Sequence, residues 1–153
     1  MKVHLFAILM AVNATFITAC NAEPKNHTAP KQEILMNQSA IVLQINNQTF
    51  DLQLENNETA TAFANLLPLD LAMDDHLNNE KFATLPKSLP TNDQKIGRIQ
   101  IGDVLLWQGD TVVIFYESFD SNYRYTKIGK IRQTDDLKNV LGRGTAQVKW
   151  GNP

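Results

Sequence analysis

The most constraining feature of the sequence is a short run of β-branched and aromatic residues, TVVIFYE, from Thr111 to Glu117. The run is too short for a helix and has no charged face, so it predicts a strand that is buried on both sides. Val104–Trp107 has a similar composition, and Gln108-Gly109-Asp110 separates it from the run. A three-residue connection with a central glycine, which adopts positive φ without strain, closes an antiparallel hairpin. The stretch therefore predicts antiparallel β-structure at the centre of the fold.

Alternating apolar and polar residues predict further strands on both sides of this hairpin. We expect strands at 41–45, 50–55, 69–74 and 80–85 before it, and at 123–131 and 146–150 after it. Gly129, inside one of these strands, indicates a bulge or a bend. The polar segments 86–95 and 118–122 predict loops.

Two short helices are predicted between the strands. Asn57 is placed to cap the first, and Pro68 follows its apolar stripe, which comprises Ala60, Phe63, Ala64 and Leu67. Thr134 is expected to cap the second, which runs to Leu141 and stops at Gly142. This order of elements predicts a mainly β fold, a closed barrel plugged at its ends. The periodicity places Phe63, Val112, Ile114 and Val148 in the core. Trp107 and Trp150 lie on predicted strands, where we expect core positions, and a platform for a ligand is the alternative.

The N-terminal segment has the composition of a targeting sequence. Lys2 precedes an apolar run that is too short to span a bilayer. Ile17-Thr18-Ala19-Cys20 resembles the bacterial lipobox, in which the cysteine is acylated and becomes the new N-terminus. Cys20 is the only cysteine in the chain, and an ordinary secretory signal is the alternative. The resemblance implies a lipoprotein signal peptide at 1–19 and a membrane-lipid partner through acylated Cys20.

The remaining chain is predicted to divide into a tether and one domain. Residues 20–39 are polar with two prolines, which predicts a lipidated N-terminus followed by a flexible tether. Residues 40–153 form the predicted barrel domain. We expect a lipid-anchored protein of the cell envelope. Asn21, rather than the aspartate of the inner-membrane retention signal, favours the outer membrane, facing the periplasm, if the host is diderm.

Charge and residue spacing limit the classes of function. The formal net charge of −2 gives no basic footprint for nucleic acid, so no nucleic-acid partner is expected. One acidic stretch could supply oxygen ligands to a metal ion, but it lacks the regular spacing of a calcium loop, and a solvated loop is the simpler interpretation. Its residues are Asp70, Asp74, Asp75, His76 and Glu80. We therefore expect no metal and no cofactor, and the sequence identifies no catalytic residue.

A group rich in tyrosines lies on either side of the segment 118–122. Tyrosine combines an apolar ring with a polar tip, and Arg124 could bind a carboxylate with two hydrogen bonds, so these residues could line a wet cleft. Aromatic clusters at strand ends also serve as packing, so a cluster that covers the core is the alternative. The candidate cleft residues are Phe82, Phe115, Tyr116, Tyr123, Arg124 and Tyr125.

Between about Ile41 and Trp150 the sequence resembles the small bacterial cyclophilin-like proteins. The segments that carry the resemblance are TATAFANLLPLDLAM, LNNEKFATLPKSLPTN, IGDVLLW, VVIFYESF and YTKIGKI. The resemblance implies a cyclophilin-like closed eight-stranded β-barrel with two short capping helices. These proteins, as a group, have no settled activity.

True cyclophilins are peptidyl-prolyl isomerases, and their site needs an apolar pocket and an arginine that donates to the prolyl amide. When Pro86 is matched to the proline of the family signature, the arginine, Phe, Met and Gln positions hold Ala83, Ser88, Leu89 and Thr91. Tyr125 falls near the pocket histidine. The arginine, Phe and Gln are absent, so we expect a non-catalytic module that binds a small molecule or a peptide. A divergent peptidyl-prolyl isomerase is the alternative.

Overall fold

A computed structural model describes residues 41–151. The predicted signal peptide at 1–19, the tether at 20–39 and Cys20 lie outside the described residues. The strands are β1 (Ile41–Ile45), β2 (Gln48–Leu54), β3 (Leu69–His76), β4 (Glu80–Thr84), β5 (Gln94–Ile99), β6 (Asp103–Trp107), β7 (Thr111–Phe115), β8 (Phe119–Ile131) and β9 (Ala146–Gly151). The helices are α1 (Glu58–Ala64) and α2 (Leu137–Leu141). Within this part of the chain, no helix is long and apolar enough to cross a bilayer.

Eight of the strands form a closed antiparallel barrel, which confirms the predicted fold class. The order around the ring is β2, β1, β9, β3, β4, β7, β6 and β8, and pairing of β8 with β2 closes it. The first and last strands of the domain, β1 and β9, are neighbours. The hairpin of β6 and β7 lies within this ring, joined through Gly109 at φ +85°, as its sequence predicts.

The long strand β8 belongs to two different structures along its length. Its second half pairs with β6 and β2 in the barrel, whereas its first half, from Phe119 to Tyr125, pairs with β5. We call β5 together with this first half the arm. The predicted loops at 86–95 and 118–122 are therefore partly wrong, because Gln94 begins β5 and Phe119 begins β8. Polar residues occur in the arm because much of its surface faces solvent.

A register shift between Lys95 and Gly97 explains why β5 has no period of two in its sequence. The irregularity lets Ile96 and Ile99, which are three residues apart, pack against the same apolar cluster. An apolar spacing of three does not identify a strand.

The helices lie at opposite ends of β2. Helix α1 follows the end of β2, and its cap is the predicted one, because the Asn57 side chain accepts a hydrogen bond of 2.7 Å from the Ala60 N–H. At the start of β2, Gln48 donates to the Asp136 carboxylate beside α2. The predicted cap at Thr134 is wrong, because α2 begins at Leu137 and only the Thr134 carbonyl accepts a bond, from Leu137.

The barrel interior contains the main apolar core. Phe63 of α1 is fully buried there and meets Trp150 edge to face, with ring centroids 5.3 Å apart. The predictions that Phe63, Val112, Ile114, Val148 and Trp150 are core residues are confirmed. Leu137 and Leu141 of α2 join the same cluster. Both helices thus fill the barrel with apolar side chains.

Gly129 marks the place where β2 and β8 approach most closely. A Cβ added there would lie 2.4 Å from the Gln53 carbonyl oxygen, so no other residue fits without moving a strand. The pairing of β6 with β8 also shifts register beside this glycine. The predicted bulge is therefore present, at the seam that closes the barrel.

Candidate functional site

The central hairpin is apolar on both faces because each face packs against a different cluster. On β7, Val112 and Ile114 point into the barrel, while Val113 and Phe115 point outward. The arm covers this outward face. We call the second group the outer cluster: Ile99, Leu105, Val113, Phe115 and Tyr125 are buried in it, and Phe82, Ile96, Trp107 and Phe119 pack against it.

Where the arm ends, the outer surface forms a cleft of about 460 Å³. Its size lies in the range of roughly 300–1,000 Å³ that is usual for small-molecule sites. The apolar wall consists of Phe82 from β4, Trp107 from β6, and Phe119, Tyr123 and Tyr125 from β8. The floor includes Val113 and Thr111 of β7. We call this space the outer cleft.

The aromatic rings of the outer cleft stand at steep angles to one another. The Trp107 ring lies 5.6 Å from the Tyr123 ring at 90°, and 5.1 Å from the Tyr125 ring at 50°. Such edge-to-face arrangements are favourable for packing, and they also leave ring faces open to a third group. Tyr123 is 63% exposed although it is a large aromatic residue. The rings therefore form walls around a space rather than a filled cluster.

The polar end of the outer cleft is formed by Glu80 and His76, which face each other across β4 and β3. Burial raises the pKa of the Glu80 carboxyl above its ordinary 4.5, an effect that His76 opposes and Asp75 increases. Burial, together with the charges of Glu80 and Tyr123, raises the pKa of Tyr125 to about 12. This end of the cleft therefore combines a carboxyl group and a phenol whose pKa values are both raised by burial.

The turn between β3 and β4 places an exposed leucine at the rim of the outer cleft. Leu77 is 74% exposed and has φ +51°, and Asn78 beside it has φ +55°. Asparagine tolerates this left-handed region, but a leucine there is strained by about 1–3 kcal/mol. Positive φ closes the hairpin turn between β3 and β4, as it does at Asn46 and Gln108 in two other hairpin turns of the barrel.

The six candidate cleft residues do not all meet at one place. Phe82, Tyr123 and Tyr125 line the outer cleft together, and Phe115 is fully buried in the outer cluster, 5.7 Å from the Tyr125 ring. Tyr116 and Arg124 lie elsewhere. The Tyr116 ring belongs to the barrel core, and the Arg124 guanidinium donates to the Asp93 carbonyl.

Trp107 was predicted to be a core residue, and this prediction is wrong. It is only partly buried and lines the outer cleft. The signal in the sequence is the position of Trp107 two residues after Leu105, because residues two apart share a face of a strand. Both lie opposite the face of Val104 and Leu106, which belong to the barrel core.

Asp75 and His76, which follow the predicted strand at 69–74 and were expected in a solvated loop, belong to β3 itself. Asp70, Asp74 and His76 of β3 are exposed, whereas Asp75 is directed towards the barrel interior. Its carboxylate accepts hydrogen bonds of 2.7 Å from Lys81 Nζ and 2.6 Å from the Tyr116 hydroxyl. Over residues 41–151, no group of three or more His, Cys, Asp or Glu side chains could hold a metal ion.

Lys81 is a fully buried cation that its polar sequence surroundings do not predict. Its ammonium group pairs with Asp75, donates to the Gly144 carbonyl, and lies 5.8 Å from the centre of the Tyr116 ring. Burial by itself would raise the pKa of Asp75, but the bonds from Lys81 and Tyr116 and the charge of Lys81 outweigh it and lower that pKa. Burial and the Asp75 carboxylate raise the pKa of Tyr116. This network contributes to the barrel interior rather than to the outer cleft.

No arginine of the described chain lines the outer cleft. Arg98 pairs with Asp120 at 2.8 Å, and both side chains are largely exposed. Ala83, the position matched to the cyclophilin arginine, belongs to the barrel core, whereas its neighbour Phe82 lines the outer cleft. A side chain at position 83 would therefore face the barrel interior, away from the outer cleft.

Comparison with known proteins identifies the family and the fold. A model described as the cyclophilin-like family matches residues 43–151. The solution structure of the hypothetical protein AF2241 from Archaeoglobus fulgidus is similar, with a TM-score of 0.50 and 19% identity, over 75% of this chain and 95% of that chain. The structure of McbB in complex with tryptophan has a TM-score of 0.54 and 11% identity, over 73% of this chain and 44% of that chain. At these identities the structures show a shared fold alone. No curated protein is significantly similar in sequence.

Proposed function

The chain belongs to the cyclophilin-like family, and from this premise we propose that its barrel is a binding module. The outer cleft holds a small molecule or a peptide and catalyses no reaction on it. The proposal goes beyond what family membership gives, because a fold does not specify an activity and the function must be argued from the site.

One observation carries the proposal: aromatic side chains from three strands surround an open space instead of filling it. Phe82, Trp107 and Tyr123 come from β4, β6 and β8 and line the same cleft. The rings contact one another, yet Tyr123 is 63% exposed and Trp107 is only partly buried. A cluster that only covered the core would bury these rings, since exposed aromatic surface loses the free energy of burial, about 25 cal/mol per Å². The exposed Leu77 at the rim adds to this unpaired apolar surface. Apolar surface of this kind is typical of a binding site.

Two further observations are consistent with binding without isomerisation. An isomerase stabilises the twisted amide, and the cyclophilin arginine supplies a charge-assisted donor for it. In the described chain no arginine lines the outer cleft. McbB, of which the shared fold covers 44%, was solved in complex with tryptophan, and this supports a small aromatic molecule as a class of ligand to test.

We also propose that the module is attached to the cell envelope through acylated Cys20, at the outer membrane of a diderm host. The pattern Ile17-Thr18-Ala19-Cys20 supports this proposal, and two or more acyl chains give stable anchoring where one is marginal. The full-length protein should partition into the detergent phase, and Cys20→Ser should remain unprocessed or lose its membrane attachment. A soluble wild-type protein with an unmodified Cys20 would contradict the proposed anchor but would not affect the proposal that the outer cleft binds a ligand.

The two tryptophans provide a direct test of binding at the outer cleft. The chain has Trp107 in the cleft and Trp150 in the barrel core, so a nitrogen-correlated NMR spectrum contains two indole N–H signals. Titration with a library of small aromatic molecules and short peptides should yield ligands that move the Trp107 signal and leave that of Trp150 in place. Phe82→Ala should abolish these shifts in a folded protein, whereas Val42→Ala, on β1, should preserve them. A library that moves neither signal, or both equally, argues against the proposal.

A further inference from the structure

We propose that the ligand of the outer cleft is an organic amine, a protonated nitrogen carried on an apolar stem. This inference rests on the proposed function and specifies its ligand by charge. Two features of the outer cleft support it. Among the described residues the Glu80 carboxylate has no hydrogen bond and no ion pair, and aromatic side chains form the apolar wall.

Glu80 is the first of these features. It is half-buried at the polar end of the outer cleft, and the described residues give its carboxylate no hydrogen bond and no ion pair. No lysine or arginine of the described chain lines the cleft. Partial burial makes the charge of Glu80 less favourable than it is in water, and a cationic ligand in the cleft would compensate that charge.

The neighbouring acid shows how this protein pairs a carboxylate that only stabilises the fold. Asp75 is adjacent to His76 on β3, and it is bound by the ammonium group of Lys81, the hydroxyl of Tyr116 and the backbone N–H of Asn78. Glu80, next to Lys81 in sequence, points to the opposite face of β4 and has none of these partners. Asp75 therefore stabilises the fold, whereas the carboxyl group of Glu80 is available to a ligand in the outer cleft.

Among the residues that line the outer cleft, His76 is the one that could carry a positive charge and pair with Glu80, and its charge lowers the Glu80 pKa. The two residues are opposite each other across the strands, yet no salt bridge joins them in the described structure. The His76 ring instead meets Phe82 edge to face, with centroids 6.2 Å apart. Glu80 therefore remains open on the side of the cleft.

The aromatic walls favour the same charge as Glu80 does. A ring face is negative, so a cation within about 6 Å of it is attracted, and the interaction is strongest for tryptophan. Trp107, Tyr123 and Tyr125 line the outer cleft together, and Tyr123 is 63% exposed, so aromatic surface is available there to a cation. Together with one carboxylate, such a set recognises ammonium groups and disfavours anions, which would meet the charge of Glu80.

Matched probes test the charge preference directly. We choose 2-phenylethylamine, 2-phenylethanol and phenylacetate, which share a ring and a stem but are a cation, a neutral molecule and an anion. Calorimetry and the Trp107 indole signal should show the amine binding about tenfold more tightly than the alcohol, since one charge-assisted bond contributes about that factor. Phenylacetate should bind more weakly than the alcohol.

Two variants separate the local charge from the charge of the whole protein. Glu80→Gln keeps the shape of the side chain and should reduce the preference for amine over alcohol about tenfold, while binding of the alcohol changes little. Glu55→Gln removes the same charge from an exposed residue outside the outer cleft and should leave the preference unchanged. A dipeptide amide that begins with Phe, with a free or an acetylated N-terminus, then shows whether a peptide amine serves as well as a free one.

Each outcome decides between the two proposals. Equal binding of amine and alcohol, or an amine preference that survives Glu80→Gln, overturns the amine inference and leaves a binding cleft of another specificity. Failure of all three probes to move Trp107 also overturns the inference, whereas the library titration alone decides the broader proposal. An amine preference that only Glu80→Gln removes supports both proposals.

Discussion

The Lys81 network makes a quantitative prediction about the stability of the barrel. Lys81 is fully buried and its partner Asp75 has a side chain that is 15% exposed, so the ion pair is screened little by water. Asp75→Asn keeps the shape of the side chain and an amide oxygen that can accept from Lys81, but it removes the negative charge that compensates the buried ammonium group. Removal of one partner from a buried pair typically costs about 3–5 kcal/mol, because the other charge remains buried. We expect Asp75→Asn to lower the free energy of unfolding by that amount.

A double-mutant cycle separates this effect from a simple loss of contacts. Lys81→Met removes the buried cation, while Asp75 keeps the hydrogen bonds from Tyr116 and from the Asn78 N–H, so it should cost less than Asp75→Asn. Asp75→Asn combined with Lys81→Met should be more stable than Asp75→Asn alone, because no unpaired charge is left. Tyr116→Phe removes one bond to a carboxylate and should cost about 1.5–3 kcal/mol.

Urea denaturation at neutral pH measures these differences, provided that the slope m is the same for all variants. Acid adds a second readout, because the folded-state pKa of Asp75 is lowered. Such a group contributes stability above its unfolded pKa, about 3.8, and loses it as pH falls through the lower folded value. The difference in the free energy of unfolding between wild type and Asp75→Asn should therefore become smaller below pH 3.8. An Asp75→Asn loss under about 1 kcal/mol, or no recovery in the double variant, would refute this reasoning.

Three other variants test the barrel and the outer cleft by denaturation. Phe63→Ala should cost about 3–5 kcal/mol through lost burial and a cavity beside Trp150, and a loss below about half of that would mean that α1 does not plug the barrel. Gly129→Ala should cost about 1–3 kcal/mol because its Cβ meets the Gln53 carbonyl, whereas Gly151→Ala, with nothing within 4 Å, should be nearly neutral; equal losses would contradict the close approach. Burial raises the pKa of Glu80 above 4.5, so its ionisation opposes folding as pH rises. Glu80→Gln should then be more stable than wild type at neutral pH and lose that advantage below pH 4.5, and an equal difference at both pH values would count against this linkage.

Much of the barrel follows from local patterns in the sequence. The run is apolar at every position from Val112 to Phe115 because this strand has the barrel core on one side and the outer cluster on the other. The stripe that contains Phe63 and the cap at Asn57 are also local signals, since both depend on residues within two turns of each other. These two predictions are confirmed, whereas the equally local prediction of a cap at Thr134 is wrong because α2 begins at Leu137.

The outer cleft depends on contacts that no local pattern contains. In β4 the more polar Lys81 points inward and Phe82 outward, because Lys81 pairs in register with Ile114 of β7 and meets Asp75. Local hydrophobicity favours the opposite orientation. The arm likewise places Tyr125 over the barrel through pairing between β5 and β8, which are distant in sequence. Local sequence does not show this pairing, so it does not show that Trp107 lines a cleft beside Tyr125 rather than the barrel core.

The central claim, that the outer cleft binds without catalysing isomerisation, is tested most directly by exchange NMR on a short Xaa-Pro peptide. The uncatalysed barrier is about 18–20 kcal/mol, so slow exchange between the cis and trans signals is easily distinguished from catalysed exchange. We predict that the protein leaves this exchange rate unchanged while ligands of the outer cleft move the Trp107 signal. Catalysed exchange that Phe82→Ala or Arg124→Ala abolishes in a folded protein would contradict the claim.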